Sequence, residues 1–284
     1  MNSTREVIDC AAALFANVGI DSARYDAEEL AAYAAGTERG RLALLDFPGQ
    51  EFLERYGELV TARSARVPLQ HLTGSAAFGP VTLHVGPGVF IPRPETETLL
   101  EWALTQAADQ RLGARPLIVD ACTGSGALAI ALAHCLPAAR VLAVDDSDTA
   151  LRYARRNCAS TSVEVICADV TAPDLLCELT GRVDLLVSNP PYIPDGAQLT
   201  PEVAQHDPAH ALFGGPDGLA VIGPLTAHAA RLLRSGGLFA VEHDDTTAAA
   251  TLETVCDTGC FDDIVSRKDL TGRSRFVTAV RNDR

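Results

Sequence analysis

The sequence predicts an α/β protein: a mostly parallel seven-stranded sheet with an antiparallel last strand, preceded by a small N-terminal helical bundle. Three observations carry this. Short apolar runs alternate with helix-spaced segments from Pro116 onward. Four of those runs end in polar residues, at Asp120, Asp145, Asp169 and Asn189, as parallel strands sharing one ligand-binding edge do. Residues 1–66, by contrast, show helical spacing alone.

In chain order, Val7, Cys10, Ala11, Leu14, Phe15 and Val18 form the apolar stripe of a first helix from Thr4, with Gly19 as its stop. Asp21 or Ser22 caps a second helix, Ala23 to Ala35, ended by Gly36. A short third helix runs from Thr37 to about Leu45. Pro48-Gly49 makes a turn, and Phe52, Tyr56, Leu59, Val60 and Arg63 mark a fourth. This bundle is acidic and carries no cluster with an evident chemical role, so it reads as a packing or docking module, and a docked partner would be basic.

Residues 67–93 read as a connector: irregular chain over Val67 to Thr73, then a hairpin turn at Phe78-Gly79-Pro80 leading into a half-buried strand with Val81, Leu83 and Val85. Phe90 and Arg93 precede a helix opened by Pro94, a residue suited to the first helical position. Arg93, set between two prolines, pairs with Glu95 or Glu97 or else contacts a ligand.

The first sheet strand, Pro116 to Asp120, runs into Cys122-Thr123-Gly124-Ser125-Gly126 and a helix to about Cys135. Glycines between strand and helix let a ligand approach the free N–H groups of the helix start. The second strand, Arg140 to Val144, ends in Asp145, 21 residues beyond Gly124, where a carboxylate can accept hydrogen bonds from ribose hydroxyls. The third, Val163 to Cys167, ends at Asp169-Val170.

The fourth strand, Val183 to Ser188, stops at Asn189-Pro190-Pro191-Tyr192. Two prolines stiffen this corner and hold the carbonyls of Asn189 and Pro190 outward. Asn189 adds a side-chain oxygen and Tyr192 an aromatic face, a combination suited to a planar group bearing NH2, whether a carboxamide or an adenine. Downstream come a helix from Leu219 to Leu233, a Ser235-Gly236-Gly237 turn, a fifth strand to Glu242 and a helix from Thr246 to Val255. Two last strands, around Ile264 and from Phe276 to Val280, are joined by a loop too short for a crossover.

Composition limits the alternatives. A length of 284 residues and 47% hydrophobic content suffice for a large α/β domain and a smaller one. The longest apolar region, Ala127 to Val144, is broken by His134, Pro137 and Arg140, so no membrane span is expected; no signal-peptide pattern is visible at Met1 to Glu6, and a cytoplasmic location is expected. A net charge of −14 argues against direct nucleic-acid binding, although six of the 23 basic residues fall after residue 266. The eight cysteines contain no Cys-x-x-Cys and read as small, buried, reduced hydrophobes. His206-Asp207-Pro208-Ala209-His210 mimics a zinc-protease helix, but Pro208 breaks it, and no metal is expected.

Taken together, Pro68 to Gly74, Phe90 to Glu97, Asp120 to Gly126, Asn189 to Tyr192 and Asp269 to Arg273 make the chain resemble the PrmC/HemK family of protein-glutamine N5-methyltransferases across nearly its whole length. The resemblance implies a class I, Rossmann-like S-adenosylmethionine-dependent methyltransferase domain over 94–284, a hairpin connector over 67–93 and a substrate-docking helical domain over 1–66. It implies that the substrate is the glutamine in the Gly-Gly-Gln loop of class I peptide-chain release factors. It places Cys122, Thr123, Gly124, Ser125, Gly126, Asp145, Asp169, Val170 and Asn189 at the cofactor, and Asn189, Pro190, Pro191, Tyr192, Phe90 and Arg93 at the substrate. Asn189, Pro190 and Tyr192 would act in catalysis. The family usually has Gly where Cys122 stands, which implies a slightly wider first turn.

Two enzymatic rivals share parts of this pattern. A nucleic-acid amino methyltransferase would grip a flipped adenine at the same corner, but it needs a basic face. A dehydrogenase fits Gly124-x-Gly126-x-x-Ala129 yet leaves Asn189 to Tyr192 unexplained. A third reading is a non-catalytic binding partner with a relic fold.

Overall fold

Residues 3–45 and 49–284 are described in the computed structural model. The chain divides into two compact units, one comprising residues up to Ser75 together with Leu199–His206, the other Ala76–Gln198 with Asp207–Arg284.

In the helical unit, Ser3 and Glu6 form a capping box that starts α1 (Thr4–Asn17), each side chain accepting the other's backbone N–H. The buried face of α1 is Thr4, Ile8, Ala11 and Phe15; Cys10, Leu14 and Val18, expected on the apolar stripe, are exposed. Both rows satisfy helical spacing, and the row carrying Phe15 wins because it meets the alanines and Leu30 of α2 (Ala23–Ala35). Gly36, in the left-handed conformation at φ 63°, ends α2. The expected third helix is a 3₁₀ turn over Arg39–Leu44, with Gly40 weakening α-helix formation. The Pro48-Gly49 turn falls in part on residues 46–48, outside the described residues.

α3 (Gln50–Ser64) buries Tyr56 and Arg63. Arg63 Nε donates to Asp26 Oδ2 at 2.7 Å with both side chains almost fully buried, and Arg63 Nη2 donates to Glu202 at 2.9 Å. Removing one partner of such a pair costs about 3–5 kcal/mol. Where irregular chain was expected, Leu69–Thr73 forms a short helix, α4, framed by Pro68 before it and left-handed Gly74 after it.

The larger unit opens with the expected hairpin, β1 (Ser75–Phe78) and β2 (Val81–His84), and with α5 (Pro94–Ala108), which has proline at its start. There follow β3 (Leu117–Ala121), α6 (Ala127–Cys135), β4 (Arg140–Asp145), α7 (Asp148–Cys158), β5 (Glu164–Cys167) and β6 (Val183–Ser188). After α8 (Pro201–His206), which belongs to the helical unit, come α9 (Ile222–Leu232), β7 (Leu233–Glu242), α10 (Ala248–Asp257), β8 (Phe261–Lys268) and β9 (Ser274–Arg281).

The sheet order is β5-β4-β3-β6-β7-β9-β8; β3 to β7 pair in parallel, and β9 runs antiparallel between β7 and β8. Strands β3, β4, β6 and β7 send alternate residues into two apolar layers, as a sheet covered on both faces requires. The expected turn at Ser235-Gly236-Gly237 is instead a bulge inside β7, where the pairing with β6 jumps from Val183/Leu233 to Leu185/Leu238. A side chain at Gly237 would meet the Val183 carbonyl oxygen at 3.0 Å, so glycine lets the two backbones approach there.

No helix among the described residues is long and apolar enough to cross a membrane. The eight cysteines are free, but their expected burial holds for Cys158 alone; Cys10, Cys167, Cys177 and Cys256 are exposed.

Candidate active site

Parallel register brings the C-terminal ends of β3 to β7 to one edge, with Ala121 beside Val144 and Ser188, and Ser188 beside Val241. The loops leaving β3, β4, β5 and β6 at that edge carry residues singled out in the sequence. Ser188 ties the centre together by donating from Oγ to the Ala121 carbonyl at 2.7 Å.

The loop after β3 is held by backbone and carboxylates. Thr123 N–H donates to the Val144 carbonyl, and its hydroxyl donates to Asp120 Oδ2 at 2.6 Å, which also accepts the Ala129 N–H. Burial raises the Asp120 carboxyl to about 7 against the pull of those two donors. Gly124 N–H donates to Asp145 Oδ2 at 2.8 Å, and Ser147 N–H to Asp145 Oδ1 at 2.9 Å, so this carboxylate fixes the loop and the turn after β4 together. Burial pushes the Asp145 carboxyl up, and the two N–H donors oppose the shift. Cys122 takes a positive φ of 58°, and burial pushes its thiol up. Ser125 is buried, and its carbonyl accepts from Asn157.

A side chain built at Gly124 would meet nothing within 4 Å, so the loop fronts open space. Open backbone with a carboxylate behind it suits a nucleoside: room for close approach, and carboxylate lone pairs for hydroxyls. Asp169 is exposed and accepts from the N–H and hydroxyl of Thr171, bonds that hold its carboxyl below the usual range. Val170 is buried in the second apolar layer.

The loop after β6 is held by side chains. Asn189 Nδ2 donates to Thr96 Oγ1 at 3.0 Å; Thr96 Oγ1 donates to Glu242 Oε2 at 2.8 Å; the Tyr192 hydroxyl donates to Glu242 Oε1 at 3.1 Å. Glu242 is fully buried at the end of β7, and burial raises its carboxyl to about 7 while Thr96 and Tyr192 pull it down. Burial, with the Glu242 charge beside it, keeps the Tyr192 phenol protonated. Thr96 and Glu242 were not among the sequence-predicted site residues. Pro190 is buried and Pro191 half-buried, and the segment after α8 packs on this corner: a side chain at Gly214 would lie 2.6 Å from the Pro191 carbonyl, and one at Gly218 2.3 Å from that of Tyr192.

Arg93 pairs with neither Glu95 nor Glu97. It donates from Nη2 to Asp207 at 2.5 Å and lies over the Phe90 ring, 5.1 Å from its centroid. Asp207 thus serves an ion pair, and His210 bonds through Nε2 to Asp146 at 2.7 Å, which raises its pKa.

Comparison with known proteins assigns both units. The PrmC N-terminal domain model matches residues 6–74, and the Methyltransferase small domain model matches residues 94–212. A release factor glutamine methyltransferase of Mycobacterium tuberculosis is 64% identical over 98% of this chain and 91% of its own length. The chain belongs to the release factor glutamine methyltransferase family. As a release factor glutamine methyltransferase family member it is an S-adenosylmethionine-dependent enzyme. Another relative, a 4-amino-L-phenylalanine/4-methylamino-L-phenylalanine methyltransferase of Streptomyces pristinaespiralis, is 39% identical over 94% of this chain and 90% of its own. A methyltransferase structure from Pyrococcus furiosus, 16% identical, superposes with a TM-score of 0.52 over 78% of this chain and 99% of that one, a likeness of fold alone.

Proposed function

We propose that the chain methylates the side-chain amide nitrogen, N5, of the glutamine in the Gly-Gly-Gln loop of class I peptide-chain release factors. The observation that carries this reading is the corner at Asn189, whose carboxamide is anchored through its nitrogen, which leaves its oxygen to accept from an NH2-bearing group. Cys122 to Gly126, Asp145, Asp169, Val170 and Asn189 would hold the cofactor. Bound there, S-adenosylmethionine supplies an electrophilic methyl group on a sulfonium.

The residues of the chain act on the acceptor. An amide nitrogen is a poor nucleophile because its lone pair is delocalised into the carbonyl. The Asn189 side-chain oxygen and the Pro190 carbonyl accept its two N–H bonds, aim the nitrogen and favour its pyramidal form. Holding reacting atoms in this way removes up to about 7–11 kcal/mol of barrier, so no strong base is required. Tyr192 stacks on the carboxamide and faces the positive charge, an attraction of about 0.5–2 kcal/mol. The nitrogen gains one methyl and releases one proton. Pro191, Phe90 and Arg93 would line the approach of the loop, and the acidic helical segment 1–66 would dock the rest of the factor.

The test compares methyl incorporation into a class I release factor, DNA and RNA, alongside mass spectrometry of release factors from cells lacking the gene. Incorporation into the factor alone, and loss of one methyl from its Gly-Gly-Gln peptide in the deletion strain, are expected. Incorporation into nucleic acid, or an unchanged peptide, contradicts the assignment.

A further inference from the structure

We infer that Thr96 and Glu242 are positioning residues that set which way round the Asn189 carboxamide sits, so that its oxygen rather than its amino group meets the acceptor. The inference rests on the acceptor being an NH2-bearing amide, as proposed above.

A carboxamide has two faces of similar shape and opposite hydrogen-bonding sense, and a site built on it works only if the correct one points outward. Nothing in Asn189 itself decides this. The decision comes from a carboxylate two bonds away. Glu242, when ionised, can only accept, and it receives the Thr96 hydroxyl on one oxygen and the Tyr192 hydroxyl on the other. The Thr96 hydroxyl has a single proton. Once that proton is committed to Glu242, Thr96 Oγ1 has only lone pairs left for its other neighbour, and Asn189 must offer NH2. The Asn189 oxygen then points away from Thr96.

Reversing the first link reverses the rest. A glutamine at 242 can donate to Thr96 Oγ1, which frees the Thr96 proton for Asn189 and lets the carboxamide turn over. The outward group becomes a donor facing an acceptor that is itself a donor. A buried carboxylate carries a large desolvation cost, and here its two oxygens each accept from a hydroxyl, an arrangement that fits an acceptor held for direction. Tyr192 shares the same anchor, so one buried group orients both the hydrogen-bonding and the stacking residue of the corner.

The test uses the full-length enzyme and a purified class I release factor, measuring kcat, KM for the factor, Kd for S-adenosylmethionine and thermal midpoint. Glu242→Gln and Thr96→Val are expected to lower kcat roughly 100-fold, the scale of a misplaced reacting group, with cofactor Kd unchanged. Thr96→Ser, which keeps the hydroxyl, is expected to retain wild-type kcat. If Glu242→Gln fails to fold, the Thr96→Val and Thr96→Ser pair decides alone. Wild-type kcat in Thr96→Val, or parallel loss of kcat, cofactor affinity and thermal midpoint in both variants, overturns the inference and leaves the acceptor assignment standing. A wild-type enzyme that leaves the factor unmethylated overturns both.

Discussion

The two halves of the proposed site are built on different principles. The loop Cys122–Gly126 is shaped by its own backbone and anchored on Asp145 through a main-chain N–H, whereas the corner Asn189–Tyr192 is oriented by the side chains of Thr96 and Glu242, which come from α5 and β7. A nucleoside carrier needs general features, an approachable backbone and a carboxylate, and two adjacent strand ends supply them. Selecting an inert amide needs a particular acceptor facing a particular way, and that takes three segments of the fold. Damage to the first half should therefore appear as lost cofactor affinity, and damage to the second as lost turnover.

The largest separation is expected from Asn189→Ala. Loss of a group that aligns the reacting atom lowers kcat by roughly 100–1,000-fold, while calorimetry should find cofactor affinity weakened far less, because Cys122 to Gly126 and Asp145 would still hold the cofactor; equal losses in both would erase the distinction. Asp145→Ala should do the reverse. Removing charge-assisted hydrogen bonds worth about 1.5–3 kcal/mol weakens cofactor Kd roughly 10–100-fold, with kcat at saturating cofactor close to wild type.

A pH series sharpens the contrast. Glu242 must be ionised to accept from both Thr96 and Tyr192, and burial has raised its carboxyl to about 7. The groups acting on it are those two hydroxyls, Arg275, which favours the charge, and Glu95, which opposes it. Activity should fall as pH drops through about 7, to roughly a tenth of its plateau one unit below, and this limb should be missing in Glu242→Gln. Stability runs the other way. A carboxyl with a raised folded pKa destabilises the fold progressively as pH rises from its ordinary 4.5 through about 7, so Glu242→Gln should not lower, and can raise, the thermal midpoint at pH 8. A lowered midpoint at pH 8 would contradict the burial argument. The smallest effect belongs to Tyr192→Phe, which keeps the ring and leaves Thr96 on Glu242; a drop in kcat of roughly 10-fold follows from a lost bond to a carboxylate worth about 1.5 kcal/mol, measured at fixed saturating cofactor.

The same contrast explains how much was legible in the sequence. The parts of the proposed cofactor half stood out because they are local or regularly spaced: a Gly-x-Gly turn between strand and helix, and an acid 21 residues on at the next strand end. The acceptor half was legible only at Asn189–Tyr192, where two prolines announce a rigid corner. Thr96 and Glu242 lie 93 and 53 residues from Asn189, and a single threonine or glutamate carries no periodic signal. Helix faces failed for a related reason: Ile8 and Leu14 are equally good apolar neighbours along α1, and only the alanines of α2 choose between their rows. The bulge in β7 read as a turn because Gly236-Gly237 has the composition of one, while the β6 backbone that needs those glycines is remote in sequence.

The oxygen-bearing corner at Asn189 is proposed to present an amide nitrogen for methylation. Tandem mass spectrometry of a class I release factor incubated with the purified enzyme and S-adenosylmethionine tests it most directly. One methyl on the side-chain nitrogen of the Gly-Gly-Gln glutamine, absent when that residue is replaced, is the predicted result. A methyl on any other residue, or an unmodified factor beside methylated nucleic acid, would contradict it.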